Sequence, residues 1–123
     1  MKQSHAIFLS ALAVAALTIL APKAGAQGDS AEHTKRGIEL AKQKQYDKAA
    51  EEFSAALRAD PKDPKHYLNR GRAYRMAGKY AEAEKDFSHL IELNKNDNDG
   101  YSERGKTRVA EKNYDAAIED AAV

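Results

Sequence analysis

Residues Tyr67 to Phe87 read YLNRGRAYRMAGKYAEAEKDF, and the spacing of small and bulky side chains in this stretch decides the fold. Gly71 lies between Tyr67 and Tyr74, Gly78 interrupts the run, and Ala83 precedes Phe87 by one helical turn. A step of 34 residues in either direction returns the same pattern. Arg36-Gly37, Arg70-Gly71 and Arg104-Gly105 recur at that interval, as do Tyr46, Tyr80 and Tyr114, and Ala49, Ala83 and Ala117. Phe53 and Phe87 agree, while Ala121 takes the third place. Such a period marks a chain built from one repeated supersecondary unit. Within each unit Gly and Ala fall where two helices cross, because larger side chains would hold the backbones apart. The aromatics at 46, 53, 80 and 87 fill the space beside that crossing.

Helix boundaries follow from local chemistry. Asp63-Pro64 is an N-cap followed by proline at the first helical position, where its missing N–H costs nothing. Gly78 is a helix stop able to adopt the left-handed conformation. Asp29 with Glu32 reads as a variant capping box, and Asp47 and Asp115 are expected to cap later helices. The expected helices cover 30–43, 47–59, 63–77, 81–93, 97–111 and 115–122.

The period and its residues resemble the tetratricopeptide repeat, whose pattern runs W-x2-L-G-x2-Y, then A-x3-F, then P. Tyr67, Gly71, Tyr74, Ala83 and Phe87 fill it in the second copy. Gly37, Leu40, Ala49, Phe53 and Pro61 fill it in the first, with His33 at the leading aromatic position. The third copy keeps Tyr101, Gly105 and Ala117 but has Arg108 for the tyrosine and Ala121 for the phenylalanine. Arg36, Arg70 and Arg104 replace the leucine, and their recurrence beside glycine suggests an architectural role such as an inter-repeat ion pair. The resemblance covers about residues 30–123. It implies an all-α fold, a right-handed superhelical array of antiparallel helix pairs forming an α-solenoid. The repeats would run over 30–63, 64–97 and 98–123, the last incomplete. About three repeats are needed for a stable stack, and no further helix follows to cover Ile118, Ala122 and Val123. A second copy of the chain, associating through this C-terminal helix, is the natural cover, unless the sequence is a piece of a longer array.

Residues 1–26 differ in character from the rest. Lys2 lies in a short basic start, residues 6–21 carry no charge, and Ala24-Gly25-Ala26 offers small residues at both positions of an A-x-A cleavage site. This is the three-part pattern of a secretory signal peptide cut before Gln27. Sixteen residues are short of the roughly 20 that span a membrane. The alternative is retention of 6–21 as a transmembrane anchor of a membrane-bound assembly subunit. The alanine-rich segment reads as bacterial, so the destination is periplasmic or secreted. Loss of Lys2 and Lys23 leaves 18 basic residues against 19 acidic, where the whole chain of 123 residues carries 20 against 19. That balance gives no electrostatic case for nucleic acid.

Chemistry is scarce. With no cysteine there is no disulfide, thiol nucleophile, thiolate metal site or lipidated N-terminal cysteine. His33, His66 and His89 have no i, i+4 metal-binding partners and read as surface or half-buried side chains. Asn94 to Gly100 places Lys95 and Lys106 at the first and last ligand positions of a calcium loop, so it reads as a capped turn. No catalytic residues, cofactor or metal are expected, and the chain is not expected to be an enzyme. The resemblance instead implies a binding groove lined by the first helix of each repeat. There Lys35, Asn69, Arg72, Arg75 and Lys106 are the expected partner-binding residues. Arg72 and Arg75 lie three apart on one helix face, and Lys106 lies 34 residues beyond Arg72. Guanidinium forks grip carboxylates with paired hydrogen bonds, so the expected partner is a protein or peptide with an acidic segment. Within the family, co-chaperones clamp an acidic chaperone tail with Lys, Asn and Arg. At the matching positions stand Thr34, Ile38, Asn69, Asp99 and Glu103, of which Asn69 alone agrees, so that particular tail is not the expected partner.

Overall fold

The computed structural model describes residues 26–112 and 114–122, with side chains placed for 28–112 and 118–122. The proposed signal segment, its cleavage site and the alternative anchor at 6–21 fall outside the described residues or at their very edge. No helix among the described residues is long and apolar enough to cross a membrane.

Among the described residues six helices follow one another: α1 (Ala26–Lys42), α2 (Tyr46–Ala59), α3 (Pro64–Met76), α4 (Tyr80–Leu93), α5 (Asn98–Ala110) and α6 (Tyr114–Ala121). Each packs on its neighbours in sequence, and α3 also touches α5, so the first helices of consecutive repeats adjoin. The fold is the all-helical solenoid expected from the period.

The core sits at the predicted crossings. Ala49, Ala50, Phe53 and Ala73 form one buried cluster, and Ala83, Phe87 and Leu90 a second. Gly37 and Gly71 make the approach possible: a Cβ there would lie 2.5 Å from Phe53 Cε1 and 2.6 Å from Phe87 Cε1. The third crossing is different. Among the described residues a Cβ on Gly105 would meet only Asp120 Cβ at 3.7 Å, an ordinary contact. Ile118 on α6 stays 68% exposed.

Turns within the repeats are more uniform than the sequence suggests. Gly78 adopts φ 81°, as expected, but Lys44 and Lys112, one period away on either side, adopt φ 62° and 67°. Around Gly78 the bonds Lys79 N→Tyr74 O (2.8 Å) and Gly78 N→Arg75 O (3.0 Å) close a Schellman turn. Gln45 N→Leu40 O (2.9 Å) and Lys44 N→Ala41 O (3.0 Å) repeat it around Lys44. A non-glycine residue in this conformation costs about 1–2 kcal/mol, which the helix packing on either side overrides.

Two caps are as expected. Asp63 accepts from Lys65 N at 2.9 Å, and Asp97 accepts from Asp99 N at 2.8 Å and Gly100 N at 3.1 Å. Two others are corrected. α1 begins at Ala26, which puts Asp29 inside its first turn rather than at the cap. In α2 the cap position is Gln45, whose side chain makes no capping bond, and Asp47 lies in the first turn. The Schellman turn feeds directly into α2, so the helix starts one residue earlier than the aspartate. Asp47 there still opposes the positive helix end and takes an ion pair from Lys79 at 3.1 Å. The side chain of Asp115 lies outside those described.

Candidate functional site

The recurring arginine proves architectural, with a geometry the sequence reading did not anticipate. Arg70 donates through Nε and Nη2 to both oxygens of buried Asp86, at 2.9 and 2.8 Å, joining the two helices of one repeat. Its Nη1 reaches Ser54 Oγ on the preceding repeat at 3.2 Å. One period later Arg104 binds Asp120 at 3.1 and 2.7 Å, and Ser88 Oγ at 3.2 Å. The first copy is looser: Arg36 Nε lies 3.4 Å from Glu52, which also bonds His33 Nδ1 at 2.7 Å. The expected inter-repeat ion pair is thus an intra-repeat ion pair with an inter-repeat hydroxyl bond. The register Glu52, Asp86, Asp120 was present in the sequence as the signal for it. Arg108, in place of the pattern's tyrosine, spans from Glu84 Oε1 (2.7 Å) to Asp120 Oδ2 (2.9 Å).

The expected binding residues separate into three kinds. Lys35 and Asn69 line a depression of about 530 Å³ between α1 and α3. Asn69 and Arg72 line an adjoining one of about 320 Å³, floored by Ile38, Ala41, Ala73 and Met76. Neither the Lys35 nor the Asn69 side chain has a hydrogen-bond or ion-pair partner among the described residues, so both are open to a ligand. Stacking brings Arg72 beside Lys106, as the period required. Both converge on Glu103: Arg72 Nη2 lies 3.1 Å and Lys106 Nζ 3.4 Å from its Oε1. Arg75 binds the other oxygen of the same carboxylate through Nη1.

Glu103, which stands at one of the clamp positions, is the centre of the cluster. It occupies the register of Lys35 and Asn69, two periods and one period on respectively, and it is buried. Burial pushes its carboxyl up, but the hydrogen bonds and charges of Arg75 and Arg72 outweigh that and hold it below the ordinary carboxylate range. Three cations surround one anion, so the patch keeps a net positive charge. The arginines are not equivalent. Arg75 is 18% exposed and stacks 6.0 Å above the Phe87 ring, whereas Arg72 and Lys106 are 45% and 60% exposed. Arg75 therefore holds Glu103 in place, and Arg72 and Lys106 face the groove.

A sign follows for acid stability. The folded carboxyl of Glu103 has a lower pKa than the unfolded one, so in acid the unfolded chain binds the extra proton first. Its contribution is present above the unfolded carboxyl's pKa and disappears as the pH falls through the lowered native value. Glu103→Gln should be less stable near neutrality and show a flatter decline in urea-unfolding free energy from about pH 6 to about pH 3. Parallel curves for the two proteins would contradict the pairing.

The histidines need one correction. His33 and His89 are half-buried, His89 lying against Tyr67 with ring centroids 4.3 Å apart. His66 is buried at 4% exposure, with a ring nitrogen, Nε2, 2.8 Å from Ser30 Oγ of α1. Its place in the first turn of α3 aims the ring into the packed joint with α1.

The family profile described as tetratricopeptide repeat matches residues 34–98. Hsp70-Hsp90 organizing protein 1 of Glycine max is 38% identical over 88 residues, which cover 72% of this chain and 15% of that protein. Superkiller complex protein 3 of Homo sapiens is 39% identical over 83 residues, 68% of this chain and 5% of that protein. The chain therefore spans only a small part of the curated relatives it matches. Among solved structures, the first repeat domain of Spaghetti (RPAP3) bound to the HSP90 peptide SRMEEVD superposes with TM-score 0.70 at 31% identity, covering 76% of this chain and 75% of that one. The OM64 repeat domain of Arabidopsis gives 0.72 at 25% identity, covering 78% and 79%.

Proposed function

Since the chain belongs to the tetratricopeptide-repeat family, a family of interaction modules, we propose that it is a non-catalytic docking module that takes an acidic segment of a partner protein into the groove of α1, α3 and α5. The carrying observation is the pair of exposed cations, Arg72 and Lys106, held over a single buried Glu103 beside the open side chains of Lys35 and Asn69. A partner carboxylate there meets more positive charge than the groove itself neutralises. The apolar floor at Ile38 and Met76 supplies contact area between the charged points. A solved neighbour with 31% identity holds a peptide containing three acidic residues, SRMEEVD, which supports this ligand class. The acids at Asp99 and Glu103 argue for a different sequence from that tail.

The test is a peptide array ranked by net charge. Captured peptides should be rich in Asp and Glu, and Arg72→Gln with Lys106→Gln should weaken capture about tenfold or more with helicity unchanged. Neutral replacements are required because Arg75 must still balance Glu103; a glutamate at 75 would unfold the joint rather than test the groove. Capture that survives the double change, or that favours basic peptides, removes the reading. We also propose that the module works outside the cytoplasm after cleavage before Gln27. N-terminal sequencing of exported protein should start at Gln27, and a start at Met1 would favour the retained anchor.

A further inference from the structure

Among the described residues, one buried side-chain polar atom has no hydrogen-bond partner: Nδ1 of His66. The residue is 4% exposed. A buried ring nitrogen left unpaired costs about 1–3 kcal/mol, so its retention calls for something to bind it. One donor atom from each of Asp60, Asp63 and His66 lies within 4.8 Å of the others. Both carboxylates belong to the turn Asp60-Pro61-Lys62-Asp63-Pro64, where two prolines restrict the backbone. Asp60 spends Oδ1 on Lys62 N at 3.3 Å and Asp63 spends Oδ1 on Lys65 N at 2.9 Å, leaving the second oxygen of each uncommitted.

We propose that Asp60, Asp63 and His66 bind a divalent transition-metal ion, with Zn2+ the best match, at the joint between the first two repeats. The tautomer that donates Nε2–H to Ser30 Oγ leaves the Nδ1 lone pair for the metal. A ligating histidine held through its other nitrogen is the usual outer-shell arrangement. Water at the same place would satisfy Nδ1 but leave two carboxylates facing each other; a cation satisfies all three groups. One imidazole and two carboxylates suit zinc and its neighbours, whereas calcium and magnesium prefer oxygen donors. Lys35, Lys42 and Lys65 line the same depression, so charge alone would not retain a hard cation, and the nitrogen donor supplies the selectivity. Tetrahedral zinc at about 2.0–2.2 Å from each ligand sets its ligand atoms about 3.3 Å apart, so binding requires the aspartate side chains to rotate inward from a spacing of up to 4.8 Å. The bound ion would tie the turn after α2 to α3 and, through Ser30, to α1.

The full chain should take up one Zn2+ by calorimetry, and zinc should raise its thermal midpoint. In 15N spectra zinc should shift Nδ1 of His66. The Asp60→Asn, Asp63→Asn double variant should bind about tenfold or more weakly. It retains the amide oxygens that cap the turn and α3, so unchanged far-ultraviolet dichroism identifies the loss as ligation. No heat at millimolar zinc, equal affinity in the variant, or shifts confined to His33 and His89 would each overturn the site.

Discussion

Gly71→Ala is expected to destabilise the protein by about 2 kcal/mol, while Gly105→Ala, the same change one period later, should stabilise it. At Gly71 the new Cβ would lie 2.6 Å from Cε1 and 2.8 Å from Cζ of Phe87, a fully buried ring with no free volume to enter. Overpacking of that kind costs about 1–3 kcal/mol and sometimes more, exceeding the gain of about 1 kcal/mol in helix propensity from glycine to alanine. At Gly105 the nearest atom among the described residues is 3.7 Å away, so the propensity gain meets no opposing contact there. A domain of this size converts 1 kcal/mol to about 4–8 °C. Gly71→Ala should therefore melt about 10 °C lower, and Gly105→Ala a few degrees higher. Equal shifts of the same sign would show that the Phe87 crossing does not set the helix spacing.

The second large effect is expected at Asp86. Asp86→Ala removes both carboxylate acceptors of Arg70, whose side chain is only 21% exposed, and leaves a guanidinium held by Ser54 Oγ and facing the tyrosines 67 and 74 without its anion. Breaking a buried pair costs about 3–5 kcal/mol, and the partial exposure of Arg70 places this one near about 3 kcal/mol. In the native protein the hydrogen bond to Asp86 raises the Arg70 pKa; with Asp86 gone that support is lost, but a guanidinium is basic enough by itself to stay charged and cannot escape by deprotonation. Arg70→Met with Asp86→Leu should recover most of the loss, because apolar replacement of a buried pair is often neutral or better. Urea unfolding of the two singles and the double gives the coupling energy. A single-mutant loss below about 1 kcal/mol would mean that the pair behaves as a solvated surface bridge.

These two sites show what can be read from a repeating chain. Gly71 and Phe87 are sixteen apart in sequence and belong to one helix pair, so their contact follows from the period and from steric size. Arg70 and Asp86 are separated by the same interval, yet the acid side of the register is masked because Glu52 differs from the two aspartates. The lysine turns at 44 and 112 leave no sequence signal for a related reason: packing imposes there a conformation that the residue itself disfavours. The fate of the groove cations was less legible. Arg72 and Arg75 meet Glu103 across 31 and 28 residues, and which of two neighbouring arginines is buried depends on the position of Phe87.

The helix pairs and the two close crossings at Gly37 and Gly71 follow from the residues alone, since they rest on backbone periodicity and on the volume of side chains next to glycine. Packing between repeats instead settles that Arg75 is a half-buried support of Glu103 while Arg72, paired with the same carboxylate, stays exposed to the groove, and that His66 lies buried with Asp60 and Asp63 beside it. Charge and ligand chemistry depend on distances of a few ångströms between side-chain tips on different repeats. A one-dimensional period places the backbones that carry those tips but leaves their rotamers, and so their partners, to the packing.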